Sequence, residues 1–417
     1  MLEAAARHVC GKSRNSRSSA IRTETQNFEA RLPTNVRRLQ EELRSAEFRF
    51  GQQIAVKIPR PGKSDRLILV APLRDRIIHR AILIVLQGRP DMGIPGVPLV
   101  QKALEFPFSV GGIEGIDKGI ALVAESLRAG ATYYANADIK DFFPHIPRRR
   151  VLDSLLSATK DDQLVELIDT ALAIHIKNAN DLTKEDLVRL PGDSAGVPQG
   201  SALSMLFGNL ALQDFDRLMQ GRGIRCVRYV DDFILLGASE TKVKAAFKSA
   251  RTSLTAMGLT TYEPGDGSGK ASAGKTAMGF TFLGCQINGS LIAPGSAARA
   301  ALLADVDDLL KEGCRNISKT LRSSGARERI SGATEALQKV SRTVKGWGEA
   351  FAFCNSDIIR QHLDSEIDER IDRFQRWVTQ KSNGLDVDQR MRALGVTRLK
   401  DLKQKQLTLS DRALTRS

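Results

Sequence analysis

Apolar positions recur at helical spacing in some stretches and alternate with polar ones in others, and that contrast divides the chain into segments. Val36, Leu39, Leu43 and Phe48 lie at the spacing of an amphipathic helix over residues 33–48. Residues 54–58 alternate as a strand does, Pro59 to Lys63 is turn chemistry, and residues 66–70 return as a second strand, predicting a hairpin with a basic tip. A helix is expected from Leu73, with Arg74, Arg76, His79 and Arg80 beside its apolar positions, and another over residues 117–129. Residues 132–139 predict a buried strand ending in Asp138, residues 148–190 charged helices, and residues 205–218 an apolar helix. Two short apolar runs, one before Asp231-Asp232 and one after, predict a tight hairpin with both carboxylates at its tip. Residues 280–287 read as a strand pair. From residue 298 the pattern is helical, with residues 346–351 at the entrance to a long helix containing Ile358, Ile359, Leu363 and Ile367. The first 30 or so residues carry no sustained period and are expected to order only on a partner.

Charge adds a partner class. Lys and Arg outnumber Asp and Glu by 62 to 48, for +14 over 417 residues, and residues 1–80 hold 17 basic against 8 acidic residues. An excess concentrated this way points to a polyanion. The five cysteines are scattered and never spaced as C-x-x-C, which argues against a disulfide framework or zinc module and for a cytoplasmic location. No apolar run is long enough to span a membrane, and the start lacks the apolar centre of a signal peptide.

The acidic pair is the chemical focus. Adjacent carboxylates beside a sheet repel and lose solvation, an arrangement that makes sense when a hard dication sits between them and a phosphate. Asp138, at a strand end, is a third candidate ligand, whereas Asp141 reads as a turn cap. The loop over residues 196–204 runs into a helix and presents Gln199, a neutral donor and acceptor suited to a nucleotide, beside Gly200. The glycines of residues 109–115 could admit a template backbone. Residues 269–276 match the phosphate-loop pattern G-x-x-x-x-G-K-[ST], yet they leave a turn and enter a strand, the wrong context for that motif.

Taken together, Asp138 with Phe143, Val197-Pro198-Gln199-Gly200, Tyr229-Val230-Asp231-Asp232, Gly274-Lys275-Thr276 and Phe282-Leu283-Gly284 resemble the successive palm motifs of reverse transcriptases. The resemblance is to the prokaryotic branch containing group II intron and retron enzymes, and it spans residues 35–377. Residues 58–63 and 74–76 resemble that branch's fingers motifs, and residues from Lys345 its thumb, or maturase, segment. Ser204-Met205 stands where Ser-Pro is usual, and neither the intron-type N-terminal signature nor a zinc-bound endonuclease is found.

The resemblance implies an α+β right-hand polymerase fold. Its parts would be a basic extension (residues 1–32), fingers (33–135), a palm with interleaved helices (136–287) and a helical thumb with a basic tail (288–417). It further implies two Mg²⁺ ions held by Asp138, Ile139, Asp231 and Asp232. Lys63, Arg66, Arg76 and Lys275 would meet the triphosphate of a dNTP, with Gln199 and Phe143 facing the nucleotide. Tyr229, Phe282, Leu283 and Gly284 would support the primer. The expected partners are a template or non-coding RNA and a DNA or RNA primer, with homo-oligomerisation left open. The cellular role implied is that of standalone reverse transcriptases of antiphage defence. The alternatives are an intron maturase and a catalytically idle RNA-binding splicing factor.

Overall fold

The computed structural model describes residues 1–16, 18–60, 63–104, 115–192, 195–220, 224–322, 332–396 and 398. The tip residues Pro61 and Gly62, the glycines of residues 109–114 and the tail from residue 399 lie outside the described residues. The chain divides into two compact units, Met1–Met278 and Gly279–Ser417.

The first unit begins with α1 (Leu2–Ser13), α2 (Ser19–Glu29) and α3 (Leu32–Arg44). The expectation that the first 30 residues order only on a partner is therefore corrected. Ala5, Ala6 and Cys10 are buried where α1 meets α4 (Leu73–Gln87), and Ser18 caps α2 by accepting from the Ile21 amide. Strands β1 (Ile54–Arg60) and β2 (Lys63–Val70) form the expected antiparallel hairpin. One face of it buries Ala55, Leu67 and Leu69 against Ile174, Ile176, Leu182 and Leu190.

After α5 (Pro98–Leu104) and α6 (Ile116–Arg128) comes β3 (Tyr133–Asp138). Short α7 (Phe142–His145), then α8 (Arg148–Thr159), α9 (Asp162–Leu172) and α10 (Lys184–Val188) lead to α11 (Ser204–Ala211) and α12 (Gln213–Gln220). Leu212 breaks the single helix expected over residues 205–218. The hairpin β4 (Arg225–Tyr229) and β5 (Asp232–Gly237), helix α13 (Glu240–Ala256) and β6 (Ala271–Lys275) complete an antiparallel sheet of order β4-β5-β3-β6. The phosphate-loop look-alike is thus an edge strand, with Ala137 opposite Ala271 and Tyr133 opposite Lys275.

Strand β5 is buried along Phe233 to Leu236, which explains its unbroken apolar run. Phe233 packs on Phe215 and Phe247, with ring centroids 5.5 and 6.1 Å away. A buried side chain of this size contributes roughly 1.5–3 kcal/mol by leaving water.

The second unit carries a three-stranded antiparallel sheet, β7 (Phe280–Phe282), β8 (Cys285–Asn288) and β9 (Leu291–Pro294), and then helices. Along α14 (Ser296–Arg322), Leu302, Val306, Leu310 and Ile317 share a core with Ala336 and Val340 of α15 (Ala333–Ala350) and with Ile367, Phe374 and Val378 of α16 (Asp357–Ser382). A Cβ at Gly313 would come within 2.7 Å of the Ala336 methyl, so glycine sets how closely these helices meet. Residues 346–350 close α15 rather than open the next helix, and Ile358 is exposed, correcting the boundary read from sequence. The last described helix is α17 (Val387–Leu394). Among the described residues no helix is long and apolar enough to cross a membrane.

Candidate active site

Asp138 ends β3 directly opposite Asp232, the first residue of β5, and Tyr229 pairs with Asp232 from the other side. Antiparallel pairing therefore brings residues far apart in sequence to one sheet end. Between β4 and β5 only Val230 and Asp231 turn the chain, so the expected hairpin is present but its tip is one residue earlier than the acidic pair, and Asp232 already belongs to β5. The Asp231 carbonyl accepts from the Ile139 amide (3.1 Å), and the Asp138 carbonyl accepts from the Tyr262 amide (3.1 Å). Asp141 sits at φ +42° before α7 without a side-chain cap, so its capping role is corrected.

Electrostatically the cluster is under tension. Burial raises the Asp231 carboxyl to about 6, with the Asp138 charge adding to the effect. Burial raises Asp232 as well, reinforced by the charge of Asp138 and a hydrogen bond with it. Lys270 is the cation in contact: its Nζ donates to Asp138 Oδ2 at 2.8 Å and lies 4.6 Å from the Tyr262 ring centroid. The same ring has Lys140 Nζ 4.8 Å away. Sequence reasoning missed Lys270 and named Lys275, which is exposed at the other end of the strand, opposite Tyr133.

The nucleotide-facing candidates sort into groups. With its amide oxygen facing Arg66, Gln199 accepts from Arg66 Nε (3.0 Å) and Nη2 (2.7 Å), and its amide nitrogen donates to the Leu67 carbonyl (3.2 Å). Arg66 in turn favours the charged form of Asp231. Gly200, at φ +123°, lets the loop lie on β2, since a Cβ there would come within 2.5 Å of the Leu69 oxygen. The Val197 amide donates to the Phe143 carbonyl (2.8 Å), and Ser201 Oγ meets His79 Nδ1 at 3.2 Å. His79 is buried and held to about 4 by desolvation, a neutral pin between helix and loop. Phe143 itself is buried beside Phe142, with centroids 5.6 Å apart.

Arg76 has other partners. Arg76 Nη1 donates to Ser13 Oγ (3.0 Å) and Nη2 lies 3.8 Å from Glu24, so it engages the N-terminal helices. Lys63 opens β2, and its side chain is outside the described part. Phe282 is buried, and Leu283 and Gly284, at φ +48° and +74°, form the β7–β8 turn of the second unit.

Residues 58–287, more than half of the chain, match the family described as reverse transcriptase (RNA-dependent DNA polymerase). The chain belongs to the reverse transcriptase family. Its fold class is α+β, that of the right-hand polymerases. An uncharacterized 91 kDa protein in the cob intron of Schizosaccharomyces pombe is 27% identical over 178 residues, 43% of this chain and 20% of that protein. Protein YkfC of Escherichia coli is 24% identical over 200 residues, 47% of this chain and 48% of that protein. The chain thus spans less than half the length of these curated relatives. Among solved structures, apo telomerase from Candida tropicalis truncated of its C-terminal domain aligns at TM-score 0.41 and 14% identity, over 61% of this chain and 58% of that one. A chain of a partial Cas6-RT-Cas1–Cas2 complex aligns at TM-score 0.33 and 25% identity, over 61% and 42%.

Reverse transcriptase family membership implies dependence on a divalent ion. Among the described residues, no three His, Cys, Asp or Glu side chains are spaced as a ready metal cage. The donor set nevertheless fits one, being oxygen-only and carrying two acids whose charged form burial and the Asp138 charge disfavour.

Proposed function

We propose that this chain is an RNA-directed DNA polymerase that extends a primer 3′-hydroxyl with deoxynucleotides, using Mg²⁺. The observation that carries the reading is the convergence of Asp138, Asp231 and Asp232 at one sheet end with Lys270 on Asp138. Asp138 and Asp231, with Asp232 and the Ile139 carbonyl, would hold two ions. When bound, such ions supply activation of the attacking hydroxyl and neutralisation of phosphate charge.

The chain's own residues do the rest. Arg66, oriented by Gln199, offers a planar cationic fork toward the triphosphate. Lys270 takes the role that sequence assigned to Lys275, holding positive charge beside the leaving phosphates. The Phe142–Phe143 pair forms an apolar wall where the sugar of the incoming nucleotide would lie. The sequence partition into fingers, palm and thumb is retained as part of this reading, with Tyr229 and the Phe282–Gly284 turn on the primer. The concentrated basic charge of residues 1–80 suits a structured RNA as template, and we infer a partner non-coding RNA copied in the cytoplasm as part of defence against phage.

Primer extension on an RNA template with Mg²⁺ tests the activity. Wild-type extension by Asp231→Asn would overturn it. Sequencing the RNA that copurifies tests the role: a single short structured RNA supports defence, whereas an excised intron lariat supports a maturase.

A further inference from the structure

Among the described residues Arg228 is the largest fully buried side chain, at 0% exposure, and it lies in the strand that leads into the Asp231 turn. Its guanidinium donates from Nε and Nη2 to the two Asp216 oxygens, at 2.7 and 2.5 Å. Nη1 donates to Asn209 Oδ1 (3.2 Å) and to the Val230 carbonyl (2.8 Å). The bidentate pair with Asp216 would by itself balance the buried charge. The remaining nitrogen is spent on the turn.

That turn needs holding. Val230 stands at φ +59°, a region that a β-branched residue rarely adopts and that costs of order 1–3 kcal/mol. A two-residue hairpin normally has Gly, Asn or Asp in such a conformation. The Val230 carbonyl begins the peptide unit that carries the Asp231 amide, so whatever fixes that carbonyl also fixes the direction in which the Asp231 side chain leaves the backbone.

We propose that the Arg228–Asp216–Asn209 network is a positioning device: by holding the Val230 carbonyl it aims Asp231 and thereby sets the cation affinity of the carboxylate cluster. The proposal rests on the reading of Asp231 as a cation ligand. Arg228 touches no reacting atom and acts through the turn. A lysine could pair with Asp216, but a single ammonium cannot span both that carboxylate and the Val230 carbonyl with the same planar fork.

Two variants test this, Arg228→Lys and the double variant Arg228→Met with Asp216→Leu, which replaces the buried pair by apolar volume and leaves no unpaired charge. Mn²⁺ binding is counted by the electron paramagnetic resonance of the free ion, with no nucleotide present. Thermal unfolding and Mg²⁺ titrations of primer extension run alongside. The expected result is a folded protein whose Mn²⁺ affinity falls and whose half-saturating Mg²⁺ rises by roughly 10- to 100-fold, the range seen when groups that orient metal ligands are lost. Saturating Mg²⁺ should restore most of kcat. Unchanged Mn²⁺ affinity in a folded variant overturns the proposal. If the double variant does not fold, Arg228→Lys alone decides by the same criterion. Asp231→Asn is measured in parallel: if it too keeps full Mn²⁺ affinity, the reading of Asp231 as a ligand fails, whereas loss there with none at Arg228 sinks only the positioning role.

Discussion

Asp231 should be costly to the protein until a cation arrives, and the cost can be worked from its surroundings. Burial lifts its carboxyl from 3.8 to about 6. A shift of roughly two units corresponds to about 3 kcal/mol at about 1.36 kcal/mol per unit. An acid whose folded value lies above its unfolded value favours the folded state only while it is protonated. Its contribution is therefore fully present below about pH 4, declines as pH rises toward about 6, and is gone above that. Asp231→Asn removes the charge while keeping the shape. In EDTA near pH 7.5, the variant should unfold about 5–10 °C above wild type, and the difference should vanish near pH 4. Mg²⁺ should raise the wild-type midpoint and leave the variant's where it was. Calorimetry at the two pH values, with and without Mg²⁺, measures all of this. A variant less stable than wild type in EDTA near pH 7.5 would refute the reasoning.

Three further outcomes follow from the site. Lys270→Ala should slow primer extension on the order of 10²-fold while Lys275→Ala stays near wild type, and the reverse order in single-turnover rates would return the role to Lys275. Phe143→Ala should admit ribonucleotides in a competition assay at a stability cost of about 3–5 kcal/mol, since the ring is buried; unchanged preference for deoxynucleotides would put the sugar gate elsewhere. Purified protein without primer and template should release no phosphate from ATP, because residues 271–275 form an edge strand rather than a phosphate loop, and steady hydrolysis lost in Lys275→Ala would contradict that.

What could be read from sequence was what local pattern encodes. The carboxylate hairpin was legible because two apolar runs separated by a turn-length gap leave little other geometry, and Asp138 because it ends a buried run. Lys270 was not. Which lysine of residues 270–275 reaches Asp138 depends on the register of β6 on β3, which the Gly-Lys-Thr pattern does not encode. Arg228 was hidden for a related reason. Val227 is buried, so alternation would turn its neighbour outward, but Cys226, Val227 and Arg228 are buried in succession because β4 is covered on both faces. At the N-terminus the buried face of α1 is made of alanines, a cysteine and a serine, which bury without producing an apolar period. Arg76 reads as a free cation by spacing alone, and only the packing of α1 and α2 gives it Ser13 and Glu24.

The hairpin tip gathers features that work against folding: two acids that burial disfavours in their charged form, a valine in the left-handed region, and a fully buried guanidinium. None is needed to make an antiparallel hairpin, for which a glycine turn and apolar neighbours would suffice. They persist because the surrounding sheet over-determines them. Phe233 to Leu236 are fully buried, Phe233 is wedged between Phe215 and Phe247, and both Asp216 oxygens are spent on Arg228. A chain optimised for stability alone would lose these features, the acids to neutral residues and the Arg228–Asp216 pair to apolar volume as a unit. Their coincidence at one sheet end supports the proposal that the tip receives a cation, because a bound dication would turn the acids from a liability into ligands and make the strained turn worth holding.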